Sequence, residues 1–386
     1  MTNRGRPTNV AVLGSTGSVG RQTLDVLALM ADQFQVVALA AGANERLLAM
    51  QARRFQPSLI ALDAPFASEH DLPGEMMTGA AGLMAAATHP AADIVVVATS
   101  GHAAIDPTFA AIRAGKTVVL ANKETIVCAG ELLMPLARDQ GVEIRPADSE
   151  HSAVWQCLGA SPARPIARLI ITASGGPFRR ASRAALAMVT PEAALAHPTW
   201  SMGSKITIDS ATMMNKGLEI IEAHWLFDIP YQQIDVLVHP ESIVHSLVEF
   251  VDGSLLAQLG VPDMKLPIQY ALTGPERWPN PWPRLSLAAV GALHFEPPDE
   301  DRFPALALAR QAGEAGNTYP TVLSTADDVA VNAFLSGKMR FLEIPDVISR
   351  TLDRHRATSP LSRDSIAEAD SWARRVSAEI VAQLVG

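Results

Sequence analysis

The first 148 residues alternate short apolar segments, rich in β-branched residues, with segments of helical composition such as 21–30, 45–55 and 105–114. The short segments are apolar rather than alternating, which is typical of strands that are covered on both faces. Strands and helices in this order form a doubly wound parallel sheet, a Rossmann-like α/β fold. The predicted parallel strands are 10–13, 36–40, 59–62, 94–98, 118–121 and 142–144.

The pattern changes after Glu150. Two strands are predicted at 169–173 and 236–239, and a hairpin turns at Asp252-Gly253 between 243–250 and 255–260. Helical segments at 184–188 and 211–225 make this an α+β domain. A stretch rich in Pro and Trp then precedes three or four amphipathic helices, which form a small α-helical C-terminal domain. The predicted domains are 1–148, 149–274, a connector at 275–302, and 303–386.

The composition excludes several classes of protein. The 386 residues are 48% hydrophobic and 18% charged, which indicates a globular chain. A net charge of -9 argues against a non-specific nucleic-acid binder. The two cysteines, Cys128 and Cys157, form no C-x-x-C pair and fit a reducing compartment. Residues 1–9 lack the apolar stretch of a signal peptide, and no apolar run approaches the ~20 residues of a membrane span. We expect a cytoplasmic protein without membrane or nucleic-acid partners.

Three glycines lie between the first strand and the first helix, in the sequence Gly14-Ser15-Thr16-Gly17-Ser18-Val19-Gly20. Glycines allow the backbone to approach a pyrophosphate, and the amino end of the helix supplies N–H groups and partial positive charge. The segment predicts a dinucleotide-binding turn, and the alternative is a tight turn without a ligand.

The end of the second strand indicates which nicotinamide cofactor binds. Sites for NAD usually carry an acid there, for the ribose 2′-hydroxyl. This strand runs into Gly42-Ala43-Asn44 without an acid, and Arg46 follows. A guanidinium without a carboxylate suits the 2′-phosphate of NADP, so we expect NADPH.

Polar residues also follow the fifth and sixth strands. Asn122-Lys123-Glu124 should project into the ligand crevice, unless it is only a helix start with surface charges. Asp148 and Glu150 would point the same way if their segment is extended, with Ser149 on the other side. Together with Glu219 they could hold a hard cation such as Mg²⁺ or Mn²⁺. The alternatives are solvated charge at 148–150 and a surface pair of Glu219 with Lys216.

Three segments of the second domain suit a phosphorylated polyol. Residues 174–178, Ser-Gly-Gly-Pro-Phe, could form an anion nest or a plain turn. Residues 210–219, on a predicted helix, place Asn215 and Glu219 on one face with Lys216 beside them. Residues 197–203, His-Pro-Thr-Trp-Ser-Met-Gly, fit either an active-site lid or a packed surface loop.

These motifs together resemble the 1-deoxy-D-xylulose 5-phosphate reductoisomerase family, and the resemblance runs from about residue 9 to the last helices. The run 209–219 is very specific to it. The resemblance implies a metal-dependent enzyme that uses NADPH and Mg²⁺ or Mn²⁺, with Co²⁺ as a further possibility, and that forms a homodimer. Its first predicted domain would bind NADPH, and its second would bind metal and substrate.

The resemblance also implies roles for residues at matching positions. Asp148, Glu150 and Glu219 would be the metal ligands. Lys123, Glu150 and His197 would be catalytic, with Glu150 also an acid or base. Substrate would contact these three residues together with Ser149, Ser174, Ser210, Asn215, Lys216 and Glu219. The NADPH contacts would be Thr16, Gly17, Ser18, Val19, Gly42, Ala43, Asn44, Asn122, Glu124 and Gly203. The family often has a basic residue in place of Ala43, a role that Arg46 could take here.

The implied reaction rearranges the carbon skeleton of 1-deoxy-D-xylulose 5-phosphate and reduces the product to 2-C-methyl-D-erythritol 4-phosphate, in the non-mevalonate isoprenoid pathway. Two alternatives are open at this stage. One is an NADP-dependent dehydrogenase of a phosphorylated sugar or aldehyde, which needs no metal. The other is an NADP-sensing protein without catalytic activity, which consumes no NADPH.

Overall fold

The computed structural model describes residues 6–67, 71–159, 165–200, 202–357 and 360–385. The strands are β1 (Thr8–Leu13), β2 (Phe34–Ala41), β3 (Leu59–Leu62), β4 (Glu75–Thr78), β5 (Ile94–Val97), β6 (Thr117–Leu120), β7 (Ile144–Pro146), β8 (Ile166–Ala173), β9 (Ile234–Val238), β10 (Val244–Phe250) and β11 (Leu255–Leu259).

The helices are α1 (Ser18–Leu29), α2 (Glu45–Phe55), α3 (Gly79–Ala87), α4 (Ile105–Arg113), α5 (Lys123–Gln140), α6 (Ser149–Leu158), α7 (Arg183–Leu186), α8 (Pro191–Leu195), α9 (Ser204–Thr212), α10 (Met214–Phe227), α11 (Lys265–Thr273), α12 (Leu287–Val290), α13 (Ala305–Ala315), α14 (Tyr319–Leu335), α15 (Glu343–Arg354) and α16 (Arg363–Val385). None of the described helices combines the length and the apolar composition that a membrane span requires.

The chain forms two compact units. The first contains Met1–Thr125, Leu133–Ser152 and Asp263–Pro281, and the second contains Ile126–Leu132, Ala153–Pro262 and Trp282–Gly386. Residues 263–281 thus belong with the amino-terminal sheet, where Arg145 of β7 donates hydrogen bonds to the carbonyl oxygens of Ala271 and Leu272 in α11. The four predicted domains with boundaries at 148, 274 and 302 remain a prediction.

A seven-stranded sheet with the order β4-β3-β2-β1-β5-β6-β7 forms the centre of the first unit, and all its neighbouring strands are parallel. This confirms the predicted doubly wound fold. The last strand begins at Ile144 rather than at residue 142. β4 is not among the predicted strands, because this edge strand is short, largely exposed and has the sequence Glu-Met-Met-Thr without an apolar β-branched run.

The order of the strands reverses on either side of β1, so that β1 and β5 form the switch point of the sheet. Ligands of open α/β sheets bind in the crevice at the carboxyl ends of the strands at such a point. The chain leaves β1 at Gly14 and β6 at Ala121, which brings the glycine-rich turn and Asn122 to this edge.

The second unit contains a four-stranded sheet with the order β11-β10-β8-β9. Strands β10 and β11 form the predicted antiparallel hairpin, whose turn contains Gly253 with φ +82°. The single predicted helix at 211–225 is wrong, since Met213 adopts the left-handed conformation and separates α9 from α10. Ser210 therefore lies in the last turn of α9 and Asn215 in the first turn of α10.

Four long helices, α13 to α16, follow Phe303, as the sequence predicts. α14 packs against both α15 and α16, around a core that includes Val322, Ala369 and Ala373. α13 also packs against α10, and at this crossing a Cβ atom added to Gly217 would lie 2.4 Å from the Cβ of Ala309. The glycine thus allows the two helices to approach closely.

We expect Gly217→Ala to lower the free energy of unfolding by about 2 kcal/mol, the usual cost of an extra methyl group in a packed interior. The double variant Gly217→Ala/Ala309→Gly exchanges the two side chains and should recover all but about 1 kcal/mol, the cost of glycine in a helix. Denaturant unfolding followed by circular dichroism measures the free energies of unfolding of wild type, the two single variants and the double variant. Additive effects of the two substitutions would show that the two residues do not share this contact.

Candidate active site

The glycine-rich turn after β1 is held tightly against the sheet. The N–H groups of Gly14 and Ser15 both donate to the carbonyl oxygen of Ala40, at 2.8 and 2.9 Å. Gly14 has φ +81°, and a Cβ atom on Gly20 would lie 2.1 Å from the carbonyl oxygen of Gly14. Gly17 caps α1 without a side-chain hydrogen bond, so the N–H groups of the first turn have no acceptor within the helix. This arrangement suits the binding of a phosphate group.

A buried side-chain pair joins this turn to α2. Ser15 Oγ donates to Gln51 Oε1 at 2.8 Å, and Gln51 Nε2 donates back to the carbonyl oxygen of Ser15 at 2.8 Å. The sequence did not predict this contact of Gln51, because a glutamine in the middle of an amphipathic helix gives no signal of it. The pair fixes the turn relative to the helix that follows β2.

The segment between β2 and α2 contains the residues that are predicted to distinguish the cofactor. Gly42, Ala43 and Asn44 are exposed, and Asn44 Oδ1 caps α2 by accepting from the N–H of Leu47 at 3.1 Å. Arg46 follows in the first turn of α2 and is exposed. The exposed guanidinium suits a phosphate group on the ribose better than a hydroxyl group.

Asn122 organises the loops at the switch point. Its side chain donates to the carbonyl oxygens of Thr99 and Gly101 and to Glu124 Oε2, at 2.9, 3.0 and 2.9 Å. Its Oδ1 caps α5 by accepting from the N–H of Thr125 at 2.8 Å. The buried amide thus bonds to protein groups and holds the loop after β5 in place.

The segment from Asp148 to Glu150 is not extended, which corrects the geometry expected from the sequence. α6 begins at Ser149, and the carbonyl oxygen of Asp148 accepts from the N–H of Ser152 at 2.8 Å. Acids and serines are favoured at helix starts because they satisfy N–H groups there. Ser149 Oγ donates to Glu150 Oε2 at 2.7 Å, so the hydroxyl group does not lie on the opposite side from that carboxylate.

Asp148 lies in a largely buried position, with a side chain that is 17% exposed. Burial favours the neutral acid, but Lys123 and His151 outweigh it and hold the pKa of Asp148 well below its usual range. Lys123 Nζ forms an ion pair with Asp148 Oδ2, and His151 Nδ1 lies 3.4 Å from the same oxygen. The solvated-charge alternative is therefore wrong for Asp148. His151 was missed, although its position three residues after Asp148 at a helix start was a usable signal.

In the second unit, His197 bridges two serines, and we name Ser174, His197 and Ser210 the serine–histidine cluster. His197 Nε2 lies 3.0 Å from Ser174 Oγ and 3.2 Å from Ser210 Oγ. Its Nδ1 accepts from the backbone N–H groups of Thr199 and Trp200, at 3.1 and 2.9 Å. An acceptor at Nδ1 requires the neutral ring with its proton on Nε2. The cluster can therefore donate hydrogen bonds to an anion.

Two consecutive glycines close the turn after β8. Gly175 and Gly176 have φ +79° and +65°, and the N–H of Gly176 donates to Ser174 Oγ at 3.2 Å. A Cβ atom on Gly176 would lie 2.7 Å from the carbonyl oxygen of Ser210. Glycine at this position therefore allows the turn to approach the end of α9 and brings the two serines together.

The first two turns of α10 contain the other predicted substrate residues. Asn215 Nδ2 donates to Glu219 Oε1 at 2.7 Å, and Lys216 Nζ forms an ion pair with Glu219 Oε2. The side chains of Lys216 and Glu219 are 4% and 1% exposed, so the surface-pair alternative is wrong. A buried ammonium and carboxylate and a half-buried amide on one helix can form hydrogen bonds to a polar ligand.

The segment 197–203 leads into α9. The ring of Trp200 lies 6.2 Å from that of His245 and Gly203 caps the helix, while Ser201 lies outside the described residues. Whether the segment acts as a lid remains a prediction.

The predicted site residues are divided between the two units. The first unit contains Thr16, Gly17, Ser18, Val19, Gly42, Ala43, Asn44, Asn122, Lys123, Glu124, Asp148, Ser149 and Glu150. The second contains Ser174, His197, Gly203, Ser210, Asn215, Lys216 and Glu219.

We expect His197 to be neutral at pH 7, with its proton on Nε2. Burial lowers the pKa of His197 below the ordinary value of 6.5. The folded state therefore binds fewer protons than the unfolded state just below pH 6.5, and its stability falls as the pH falls through this window. Long-range ¹H–¹⁵N NMR correlation identifies the tautomer, with His197→Ala to assign the resonance. A proton on Nδ1, or a pKa above 6.5, would contradict the assignment.

Three parts of the chain match models of the same protein family. Residues 10–130 match the family described as 1-deoxy-D-xylulose 5-phosphate reductoisomerase. Residues 144–227 match the C-terminal domain of the same family, and residues 259–376 match the DXP reductoisomerase C-terminal domain.

Individual relatives match over nearly their whole length. The 1-deoxy-D-xylulose 5-phosphate reductoisomerase of Thermomicrobium roseum is 55% identical over 97% of this chain and 98% of its own. The solved Zymomonas mobilis enzyme in complex with NADPH is 42% identical over 97% of this chain and 99% of its own, with a TM-score of 0.90. A solved DOX-P reductoisomerase in complex with NADPH, fosmidomycin and magnesium is 39% identical over 98% of this chain and 99% of its own, with a TM-score of 0.94. The chain belongs to the 1-deoxy-D-xylulose 5-phosphate reductoisomerase family.

Proposed function

We propose that this chain catalyses the NADPH- and divalent-cation-dependent rearrangement and reduction of 1-deoxy-D-xylulose 5-phosphate to 2-C-methyl-D-erythritol 4-phosphate, in the non-mevalonate isoprenoid pathway. The observation that carries the proposal is the match over 98% of the chain to a relative that binds NADPH, fosmidomycin and magnesium. The two alternatives from the sequence, a metal-independent dehydrogenase and a sensor without activity, do not account for the magnesium bound by that relative or for the family to which the chain belongs.

The residues around β1 fit a nicotinamide dinucleotide. Gly14 and Gly20 leave no room for side chains, which keeps the backbone of the turn accessible to a pyrophosphate. The first turn of α1, in which Ser18 and Val19 are half-buried, offers N–H groups, and Arg46 offers a guanidinium for the 2′-phosphate. We propose the contacts Thr16, Gly17, Ser18, Val19, Gly42, Ala43, Asn44, Glu124 and Gly203. Asn122 would act mainly by fixing the neighbouring loop.

The carboxylates fit a divalent cation. Asp148 and Glu219 are each paired with a lysine ammonium, so both sites already stabilise a positive charge next to an oxygen ligand. Carboxylate oxygens are the ligands that Mg²⁺ prefers, and Mn²⁺ and Co²⁺ accept them as well. We propose that Asp148, Glu150 and Glu219 are the metal ligands.

The second unit fits the phosphate end of the substrate. The serine–histidine cluster offers hydroxyl and Nε2–H donors, and Asn215 and Lys216 add an amide and an ammonium. Binding energy from this remote group can align the reacting end of the substrate. We propose that Ser174, His197, Ser210, Asn215 and Lys216 hold the phosphate group.

When bound, the cation supplies Lewis-acid stabilisation of negative charge and NADPH supplies the hydride. The protein residues position the substrate and move protons. Lys123 and Ser149 would bind the oxygens at the carbonyl end of the substrate. Glu150, which accepts a hydrogen bond from Ser149, would exchange a proton with a substrate hydroxyl group.

The decisive experiment follows NADPH absorbance with 1-deoxy-D-xylulose 5-phosphate, with and without magnesium, and identifies the product by NMR. We expect NADPH consumption only with the metal, and a branched carbon skeleton in the product. Turnover that survives a chelator would support a simple dehydrogenase, and binding of NADPH without consumption would support a sensor.

We expect Glu219→Gln to reduce metal-dependent turnover by about 100-fold or more, because the amide replaces an anionic ligand. NADPH binding should be unchanged, since the glycine-rich turn is not altered. Metal titration and fluorescence of bound NADPH measure the two effects, with the exposed Glu300→Gln as the matched control. Full activity in Glu219→Gln would show that this residue is not a metal ligand.

We expect Arg46→Ala to raise the KM for NADPH by about tenfold, the usual effect of one charge-assisted hydrogen bond. The KM for NADH should not change, because NADH lacks the 2′-phosphate. Arg53→Ala, at the exposed far end of the same helix, is the control. An unchanged ratio of the two KM values would mean that Arg46 does not bind the phosphate.

We propose that the chain forms a homodimer through β11. This edge strand of the second sheet exposes Leu255 and Leu256, which are 52% and 42% exposed, next to a Val251 that is 66% exposed. An apolar edge strand favours pairing with another strand. Sedimentation equilibrium of Leu255→Lys against wild type decides between a dimer and a monomer.

We also propose a cytoplasmic location, which the low cysteine count without a C-x-x-C pair supports. Cell fractionation with antibody detection tests it.

A further inference from the structure

Three charged side chains of the second unit meet between α9 and α14. Lys205 Nζ donates to Asp209 Oδ2 at 2.6 Å and to Asp327 Oδ2 at 2.7 Å. Asp209 belongs to the same helix as Lys205, whereas Asp327 lies in the middle of α14. Both carboxyl groups are buried, and the Lys205 side chain is 27% exposed. We name these residues the lysine–aspartate triad.

The triad contains two carboxyl groups and one ammonium group, which leaves one negative charge uncompensated if both acids are ionised. An unpaired buried charge is costly, and neutralisation by a proton is the usual outcome. The Oδ1 atoms of Asp209 and Asp327 have no hydrogen-bond partner among the described residues, which a proton shared between the acids would remedy. Burial, and then the charge of Asp327, raise the pKa of Asp209 well above its usual range against the opposing effect of Lys205. The ion pair of Lys205 with Asp327 joins α9 to α14.

This ion pair fixes the helix that carries one of the phosphate-binding residues. Ser210, which follows Asp209, lies 3.2 Å from His197 Nε2. α9 begins directly after Gly203 and ends at Thr212, before Asn215 and Lys216. α14 is a firm anchor, because it packs against both α15 and α16. A shift of α9 along its axis would move Ser210 relative to Ser174 and His197.

We propose that the lysine–aspartate triad positions the phosphate site by anchoring α9 on α14 of the C-terminal helices. Lys205, Asp209 and Asp327 are positioning residues and do not contact the substrate. The inference rests on the proposed function, because it assigns the triad to the phosphate end of that substrate. Through the triad, the C-terminal helices would contribute to the affinity for the substrate.

The test compares Lys205→Met with Lys338→Met, the same substitution at an exposed position. We expect Lys205→Met to raise the KM for 1-deoxy-D-xylulose 5-phosphate by about tenfold, as loss of a charged hydrogen bond does. The inhibition constant of inorganic phosphate should rise in parallel, while the Kd of NADPH and the turnover at saturating substrate change little. Lys338→Met should match wild type. A merely structural role would lower the thermal midpoint and the active fraction but not change the KM.

Two further variants keep the test decisive. Lys205→Gln retains a donor for Asp327 and should give an intermediate KM, which also covers the case in which Lys205→Met does not fold. Asp209→Asn imitates the protonated acid and should raise the KM less than Asp209→Ala does. An unchanged KM in Lys205→Met or Lys205→Gln would overturn the positioning role. Equal effects of Asp209→Asn and Asp209→Ala would overturn the shared proton.

Failure of the proposed function has a separate signature. If wild type does not consume NADPH with the substrate, that function fails, and calorimetric titration with inorganic phosphate still tests the triad. A Kd for phosphate that is about tenfold higher in Lys205→Met would then support the positioning role. Equal affinities would overturn it.

Discussion

Buried carboxylates in this protein are balanced by lysine ammonium groups, and the arrangement of the polar interior depends on this pairing. Lys123 pairs with Asp148, Lys216 with Glu219, and Lys205 with Asp327. Removing ions from water costs several kcal/mol each, which only close opposite charges and hydrogen bonds can offset. The pairs Lys123–Asp148 and Lys205–Asp327 each join two backbone segments, whereas Lys216–Glu219 joins successive turns of α10. We propose the carboxylates of Asp148 and Glu219 as ligands of a divalent cation, which would take the place of the ammonium groups.

The glycines impose a second constraint, which acts through the backbone. Gly14 and Gly20 shape the turn after β1, and Gly176 allows the turn after β8 to approach Ser210. A side chain at any of these positions would collide with main-chain atoms, which have little freedom to move. The surfaces that we propose for anion binding in both units thus depend on close main-chain approach and on helix starts, and charged side chains lie beside them.

Most of the fold could be predicted from the sequence. The apolar segments of the parallel sheet, the hairpin at Asp252-Gly253 and the C-terminal helices all follow local rules of periodicity and turn chemistry. The prediction failed where a local pattern was weak or misleading. β4 has no apolar run, α6 begins at Ser149 where an extended segment was expected, and Met213 interrupts a continuous helical pattern in a left-handed conformation that no local signal indicates.

The sequence by itself determined the chemistry of the protein: the glycine-rich turn, the missing acid after β2, the acids at 148, 150 and 219, and the family to which these motifs belong. Such features depend on residue types at short spacing. Only the tertiary structure decided the acceptor role of His197 Nδ1, the ion pair of Asp148 with Lys123 and the triad that joins Lys205 to Asp327. These properties depend on burial and on partners distant in the chain, 122 residues away for Asp327. Spacing along the sequence does not contain that information.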